Sequence, residues 1–84
     1  TGAVRLDKFL KISRIVKRRT VANEMAAAGR VEINGKRAKP GAEVKTGDIL
    51  QIGYGAKQIR VRVLEVREYA KKEEAASLYE ILNS

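Results

Sequence analysis

The sequence predicts a small α+β domain, and three features of its apolar pattern lead to that prediction. Up to Gly29, apolar residues recur at the three- to four-residue spacing of amphipathic helices. From Val31 to Arg67 they alternate with polar residues, as in strands that bury one face. Between Ala70 and Leu82 the helical spacing returns. We therefore expect two short helices packed on a small, twisted, mostly antiparallel sheet, plus a C-terminal helix.

The first helix is predicted from about Arg5 to Lys11 or slightly beyond. Leu6, Phe9 and Leu10 stand at i, i+3 and i+4 and form its apolar stripe, so Phe9 is expected in the core. Asp7 lies in the first turn, where a carboxylate suits the helix dipole. We expect Asp7 to be a capping or ion-pair residue rather than a ligand contact.

The second helix is predicted from Arg18 to Ala28. Its apolar face consists of small and flexible residues, namely Val21, Ala22, Met25 and Ala26. Thr20 is a candidate N-cap, and Gly29 stands where a helix ends in the left-handed conformation.

The next segment predicts a hairpin. A strand from Val31 to Ile33 leads into Asn34-Gly35, the strongest two-residue hairpin signal, and the chain returns over Lys36 to Lys39 before Pro40-Gly41 breaks the strand.

Two longer strands are predicted after Val44 and the turn at 46–48, from Ile49 to Tyr54 and from Gln58 to Arg67. In the second strand the valines and Ile59 face inward. Arg60 and Arg62 face solvent and are expected to form weak ion pairs near Glu65.

The tail from Ala70 to Leu82 is predicted as one helix. Its apolar residues fall on one face that we expect to pack on the sheet: Ala75, Leu78, Tyr79 and Leu82.

Composition narrows the function. The 84 residues suffice for one domain, and the chain has no histidine and no cysteine. The commonest general base, thiol chemistry and cysteine- or histidine-based metal sites are therefore excluded. We predict no enzyme activity, no cofactor and no metal. No long apolar run or signal peptide is present, so we expect a cytoplasmic protein without a membrane partner.

The charge is concentrated in the first half of the chain. The whole chain carries +8, and residues 1–40 hold 11 cationic against three acidic residues, whereas residues 41–84 hold seven of each. Such a cluster attracts phosphates, and helix N-termini are expected to add backbone N–H donors. The predicted RNA-binding residues are Arg5, Lys8, Lys11, Arg14, Lys17, Arg18, Arg19, Arg30, Asn34, Lys36 and Lys39, and Arg37 extends the same surface.

Few aromatic side chains are available for stacking on bases. Phe9 is expected in the core, which leaves Tyr54, Tyr69 and Tyr79. Readers of single strands normally use aromatic stacking platforms. Recognition of the shape and backbone of folded rRNA or tRNA is therefore favoured.

Three segments in order resemble the S4 RNA-binding domain, whose fold is the α+β arrangement expected above. These are Arg5-Leu6-Asp7-Lys8-Phe9-Leu10, Gly29-Arg30-Val31-Glu32-Ile33-Asn34-Gly35-Lys36 and Val44-Lys45-Thr46-Gly47-Asp48-Ile49-Leu50. The resemblance gives an S4 domain over 5–67 and a helical tail over 68–84. Residues 1–4 are expected to be an N-terminal extension or a cloning remnant, because the family usually begins with Met just before the Arg-Leu-Asp motif.

Within the S4 proteins, the stretch 13–20 and the tail 71–82 are similar to the bacterial RqcP proteins, which are relatives of heat shock protein 15. The resemblance implies a ribosome-associated, monomeric factor that binds rRNA of the large ribosomal subunit and a stuck peptidyl-tRNA. It further implies an RqcH-type partner that extends the nascent chain with alanine in ribosome-associated quality control.

Two alternatives remain open, and a third is disfavoured. The chain could instead be a recycling factor like heat shock protein 15, or the S4 module of an RNA-modifying enzyme such as a pseudouridine synthase. Binding to an anionic membrane is disfavoured, because the basic residues continue from a short helix into a loop and a second helix.

Overall fold

The computed structural model describes residues 3–82, with Tyr54 described by its backbone alone. Two helices of the N-terminal part, α1 (Leu6–Ile12) and α2 (Arg19–Ala27), follow a short strand β1 (Ala3–Arg5). The strands β2 (Val31–Ile33), β3 (Lys36–Arg37), β4 (Glu43–Lys45), β5 (Ile49–Tyr54) and β6 (Lys57–Val63) come next. A short helix α3 (Lys72–Ala75), a 3-10 turn (Ala76–Leu78) and a last strand β7 (Tyr79–Ile81) complete the described chain.

The strands form two antiparallel sheets. The larger sheet has the order β3-β2-β5-β6-β7, and the smaller one pairs β1 with β4, with Val4 opposite Val44. The predicted α+β class, with two short helices and an antiparallel sheet, is confirmed. Of the N-terminal extension, Ala3 and Val4 belong to β1, whereas Thr1 and Gly2 lie outside the described residues.

The core lies between the two helices and the larger sheet. Phe9 is completely buried, as predicted, with Leu6 and Leu10 from α1. The small face of α2 adds Ala22 and Ala26, and the strands contribute buried valine, leucine and isoleucine side chains. Alanines on α2 allow the helix to approach its neighbours closely, so a short chain still forms a packed interior.

The ends of the helices and the first hairpin follow the sequence signals. Gly29 has a φ of 78° and follows α2, as expected for a left-handed residue after a helix. In the hairpin turn, Asn34 and Gly35 both have positive φ, 53° and 83°. Two successive positive φ angles are the requirement of the tight hairpin turn that this dipeptide favours. The predicted N-cap Thr20 is wrong, because Arg18 occupies that position without a side-chain cap.

Two strands are shorter than predicted. The return strand of the hairpin ends at Arg37 rather than at Lys39. Strand β6 ends at Val63 rather than at Arg67, because the next two backbone N–H groups, of Leu64 and Glu65, both donate to the Leu78 carbonyl, at 2.8 and 3.2 Å.

The predicted helix from Ala70 to Leu82 is wrong in its extent. Helical structure ends with the 3-10 turn at Leu78, and Tyr79–Ile81 pair with β6, with Val63 opposite Tyr79. The edge of β6 offers unpaired backbone groups, and a paired strand satisfies them. Leu78 is completely buried, so the tail belongs to the same core. The boundary between a domain over 5–67 and a tail over 68–84 stays a prediction.

Candidate nucleic-acid interface

A cationic groove lies between the start of the helices and the first hairpin. Its volume is about 930 Å³, and we call it the helix–hairpin groove. Its lining includes four cationic side chains and no carboxylate. The lining residues are Arg5, Asn23, Ile33, Lys36, Arg37, Ala38, Lys39, Pro40, Gly41 and Ala42.

The backbone fixes the two walls of this groove against each other. The N–H of Leu6 donates to the carbonyl of Ala42 at 2.8 Å, and the N–H of Asp7 donates to that of Pro40 at 3.2 Å. These bonds use the first free donors of α1. The expectation that this helix N-terminus offers those donors to a phosphate is therefore wrong, and any anion in the groove would be held by side chains.

Asp7 lies beneath this wall and joins three elements. Its side chain is 3% exposed, and its Oδ1 atom lies 3.3 Å from Nε of Arg5 on β1 and 3.6 Å from Nη2 of Arg19 on α2. Nη2 of Arg5 and Nδ2 of Asn23 each donate to the other oxygen, Oδ2, at 3.3 Å. The prediction that Asp7 is a capping or ion-pair residue is thus confirmed.

The carboxyl group of Asp7 remains ionised despite its burial. Burial acts to raise the pKa of Asp7, but the hydrogen bond from Asn23 and the charges of Arg19 and Arg5 act in the opposite direction, helped by the backbone N–H of Lys8. The net pKa lies below its ordinary value. One buried anion therefore lies beneath two half-exposed guanidinium groups, of which that of Arg5 lines the groove.

Two of the predicted hairpin residues, Lys36 and Lys39, line the groove and are exposed. Asn34 is different, because its amide is used within the fold. Its Oδ1 accepts the N–H of Ile49 at 3.0 Å, and its Nδ2 donates to Oδ1 of Asp48 at 3.2 Å. This amide fixes the hairpin against the start of β5.

Other predicted binding residues lie outside the helix–hairpin groove. Lys17 and Arg18 line an apolar depression of about 540 Å³ with Ile15, Val21 and Ile59. Arg30 lines a polar depression of about 290 Å³ that also contains Glu32.

Three further predicted residues lie on or just after α1. Lys8 forms an ion pair with Glu68 of the tail, so its ammonium group already has a partner within the protein. Lys11 and Arg14 are exposed. The structure thus brings Arg5 together with the hairpin lysines in the groove. Arg19 meets Arg5 at Asp7, but it lines a neighbouring depression of about 450 Å³ that also contains Asn23 and Glu24. The remaining predicted residues lie apart from both.

Arg14 has an unusual backbone. It follows α1 with a φ of 62°, and its N–H donates to the Lys11 carbonyl at 3.1 Å. Glycine usually occupies this position, because a β-carbon is strained in the left-handed region. The chain thus places a long cationic side chain where a glycine would be more stable, and that side chain is exposed. Strained residues of this kind cluster at functional sites.

Asn23 is a groove residue that the sequence analysis missed. It lies four residues after Arg19, so the two side chains share one face of α2. That spacing is visible in the sequence, but only the structure shows that Asn23 bonds Asp7 and lines the groove.

Two arginines of the second half, Arg62 and Arg67, are paired with carboxylates. Arg67 bonds Glu65 and Glu74, and Arg62 lies 3.7 Å from Glu80. Arg62 therefore pairs with Glu80 on the last strand. The expected ion pair of Arg62 with Glu65 is wrong. The hydrogen bond that Arg67 donates to Glu65 raises the pKa of Arg67. The backbone N–H of Lys71 is the main cause that lowers the pKa of Glu74.

Within residues 3–82, no three acidic side chains lie close enough together to hold a metal ion. No helix in the same range has the length and apolar character needed to cross a bilayer.

The fold is that of a known class of domain. The family model described as the S4 domain matches residues 4–50, more than half of the chain, and the chain belongs to this family. The expected S4 resemblance is confirmed.

Relatives within the family are more specific. A Bacillus subtilis (strain 168) protein named RQC P-site tRNA stabilizing factor is 53% identical over 79 residues, 94% of this chain and 92% of that protein. A Streptococcus pneumoniae protein of the same name is 50% identical, over 95% of this chain and 91% of that protein. The expected similarity to the RqcP proteins is confirmed.

The heat shock protein 15 branch is also similar. A homolog from Aeromonas salmonicida is 40% identical over 93% of this chain and 59% of its own length. The solved trimeric structure of Vibrio cholerae heat shock protein 15 superposes with a TM-score of 0.87 and 32% identity, over 95% of this chain and 82% of that one.

Proposed function

We propose that this chain is a non-enzymatic RNA-binding factor of ribosome-associated quality control. It binds peptidyl-tRNA and rRNA on obstructed large ribosomal subunits, and it stabilises the tRNA while the nascent chain is extended with alanine. The helix–hairpin groove supports this proposal most strongly, because cations from two parts of the chain line it without a carboxylate.

The chemistry of the groove suits the phosphate backbone of folded RNA. Arginine forks bind phosphates through two parallel hydrogen bonds, and lysines add mobile point charges. Phe9 is buried, and among the residues whose side chains the structure describes no aromatic residue lines the groove, so this lining offers bases no stacking platform. Recognition by shape and backbone fits this lining better than the reading of a single strand.

The names of the relatives support the same role. Two proteins that are at least 50% identical over nearly the whole chain are named for stabilising a tRNA in the ribosomal P site. We propose that Arg5, Lys36, Arg37 and Lys39 are the contacts in the groove, and that Arg19, which lines the neighbouring depression, adds a contact beside it. Lys11 and Arg14 extend this surface from the end of α1.

The other predicted residues are proposed to be secondary or conditional RNA contacts, with the exception of Asn34. Lys17, Arg18 and Arg30 lie in other depressions and are proposed as secondary RNA contacts. Lys8 contributes only if its ion pair with Glu68 opens. We leave Asn34 out of the proposed interface, because both ends of its amide are already bonded.

We further propose that the protein is a cytoplasmic monomer that works beside an RqcH-type partner on the ribosome. Light scattering of the purified protein tests the monomer against the trimer seen for the Vibrio cholerae relative. A stable trimer at micromolar concentration would contradict the monomer.

The groove is tested with a charge-reversal pair. Lys36→Glu with Lys39→Glu should weaken binding to large subunits carrying peptidyl-tRNA by at least about 30-fold at 0.15 M salt, since two phosphate contacts are lost. The matched control is Lys57→Glu with Lys72→Glu, which changes the charge equally at exposed positions outside the groove. Binding is measured by co-sedimentation with fluorescent protein. An equal loss in both pairs would leave only a general charge effect and refute the groove.

The alternative of a recycling factor like heat shock protein 15 is favoured by the structural superposition. Reconstituted alanine tailing separates the two roles. A tailing factor increases alanine incorporation in the presence of an RqcH-type protein, whereas a recycling factor binds the same subunit without that increase.

A further inference from the structure

Asp7 is the least expected charge in the helix–hairpin region. The chain carries +8 and the proposed ligand is a polyanion, yet a carboxylate lies directly beneath Arg5 of the groove and the adjacent Arg19. A helix-capping role explains a carboxylate in the first turn, but it does not require burial or contact with two guanidinium groups.

Burial makes this arrangement costly unless it is fully partnered. Removing a carboxylate from water is unfavourable, and the partners must compensate for it. Asn23 and the N–H of Lys8 supply hydrogen bonds, while Arg5 and Arg19 supply charge. Oδ1 accepts no hydrogen bond of good geometry, although both arginine nitrogens approach it. This oxygen therefore interacts with the two guanidinium groups mainly through charge.

The result is a pair of like charges held close together. Nε of Arg5 lies 3.3 Å from Oδ1 of Asp7, and Nη2 of Arg19 lies 3.6 Å from the same atom. The distance between these two nitrogen atoms is therefore no larger than the sum of the two values. Without the carboxylate, the two cations would repel each other and their long side chains would sample many rotamers.

The outer part of each arginine remains available. The side chains of Arg5 and Arg19 are 56% and 49% exposed. A guanidinium group carries five N–H donors, and Asp7 occupies only some of them. An arginine that is already held in place loses less side-chain entropy when it binds a phosphate.

We propose that Asp7 is a positioning residue for RNA binding: it holds Arg5 of the helix–hairpin groove beside Arg19 of the neighbouring depression, so that both are ready for the RNA backbone. Asp7 itself does not touch the RNA. The proposal rests on the proposed function for its ligand, but its effect on the two arginines exists in the free protein.

The proposal predicts a sign opposite to that of simple electrostatics. Asp7→Asn removes a negative charge from a cationic surface, which by charge alone would strengthen binding to a polyanion. Loss of positioning instead weakens this binding. We expect binding to large subunits that carry peptidyl-tRNA to be about tenfold weaker at 0.15 M salt, because two arginine side chains must then become ordered when the RNA binds. Asp7→Glu should recover part of this loss, because it keeps the charge.

A double-mutant cycle separates positioning from a structural role. In a chain that carries Arg5→Gln and Arg19→Gln, Asp7→Asn should cause no further weakening. A tenfold loss that persists in this background would assign the effect to the fold and overturn the proposal. Binding of the single Asp7→Asn variant that is equal to or tighter than wild type would overturn it as well.

Nuclear magnetic resonance of the free protein provides a readout that needs no RNA. Nε–Hε order parameters of Arg5 and Arg19 should fall in Asp7→Asn, whereas those of the exposed Arg60 should not change. Unchanged order at both arginines would refute positioning even if the protein binds its ligand. Absence of binding by the wild type, with normal arginine order, would refute the proposed function alone.

Asn23→Ala provides a second test of the proposal if the Asp7→Asn variant does not fold. It removes the hydrogen bond to Oδ2 from an exposed helix position and leaves the net charge unchanged. We expect about threefold weaker binding and lower order at Arg5 and Arg19, because a single neutral partner of the carboxylate is lost. Wild-type affinity and wild-type arginine order in this variant would overturn the proposal.

Discussion

Replacement of Arg14 by glycine should make the protein more stable and its RNA binding weaker. A non-glycine residue in the left-handed region costs roughly 1–2 kcal/mol, and glycine loses roughly 0.5–1 kcal/mol more backbone entropy on folding. With a φ of 62° at Arg14, Arg14→Gly should therefore gain about 0.5–1 kcal/mol. For a domain of this size the melting temperature should rise by roughly 2–8 °C.

The same substitution removes a cation from the end of α1. If Arg14 contacts one phosphate, binding at 0.15 M salt should weaken about fivefold, and the slope of log K against log salt should become shallower by about 1. Arg14→Ala is the matched control, since it removes the charge but keeps the backbone strain. Thermal unfolding followed by circular dichroism measures stability, and fluorescence anisotropy across a salt series measures binding.

The outcome distinguishes the two effects. Both variants should bind equally weakly, while only the glycine variant gains stability. If Arg14→Gly melts no higher than Arg14→Ala, the strain assigned to this position is wrong. If both variants bind like wild type, Arg14 is not an RNA contact.

Three further predictions concern the fold. Asn34→Ala should destabilise the protein by about 1–2 kcal/mol without weakening RNA binding, because the amide bonds Ile49 and Asp48 rather than a ligand; urea unfolding and anisotropy measure the two quantities. Leu78→Ala should cost about 3 kcal/mol in urea unfolding, since this side chain is completely buried. Asp7→Asn should lower the free energy of unfolding by about 2 kcal/mol at neutral pH. The folded-state pKa of Asp7 is depressed, so its contribution is present above the unfolded-state pKa of about 3.9. The difference between wild type and Asp7→Asn should therefore shrink as the pH falls below about 4.

Each of these predictions has a contrary result. Weaker binding by folded Asn34→Ala would return this residue to the interface. A cost below about 1 kcal/mol for Leu78→Ala would mean that the tail is not part of the core. A difference between wild type and Asp7→Asn that stays constant down to pH 2 would show that the ionised carboxylate is not the stabilising species.

Local sequence signals predicted the first half of the fold well. Leu6, Phe9 and Leu10 have only one periodic interpretation, and Asn34-Gly35 meets a requirement of backbone geometry that few dipeptides meet. Gly29 marks the end of α2 for the same kind of local reason. These features depend on neighbours within a few residues, so the sequence alone contains them.

The tail shows where local signals fail. Ala75, Leu78, Tyr79 and Leu82 have helical spacing, but the chain leaves the helix after Leu78 because the edge of β6 needs a partner. That need comes from residues far away in the sequence, and a period count cannot detect it.

The sequence predicted which residues contribute cations to the candidate site, but not how these residues are arranged in space. Arg18 and Arg19 are adjacent in the chain, yet one lines the apolar depression and the other bonds Asp7, since neighbouring residues at a helix start point in different directions. The cluster of charges was visible in the sequence. Its division into separate grooves, and the buried anion below one of them, depend on tertiary contacts.

The most direct test of the central claim is a cryo-electron microscopy structure of this protein bound to a large subunit that carries peptidyl-tRNA. In that structure the helix–hairpin groove should face RNA, with Arg5, the adjacent Arg19 and the hairpin lysines within hydrogen-bond distance of phosphate oxygens. A complex in which this groove faces solvent and the RNA lies against the exposed arginines of β6 would contradict it.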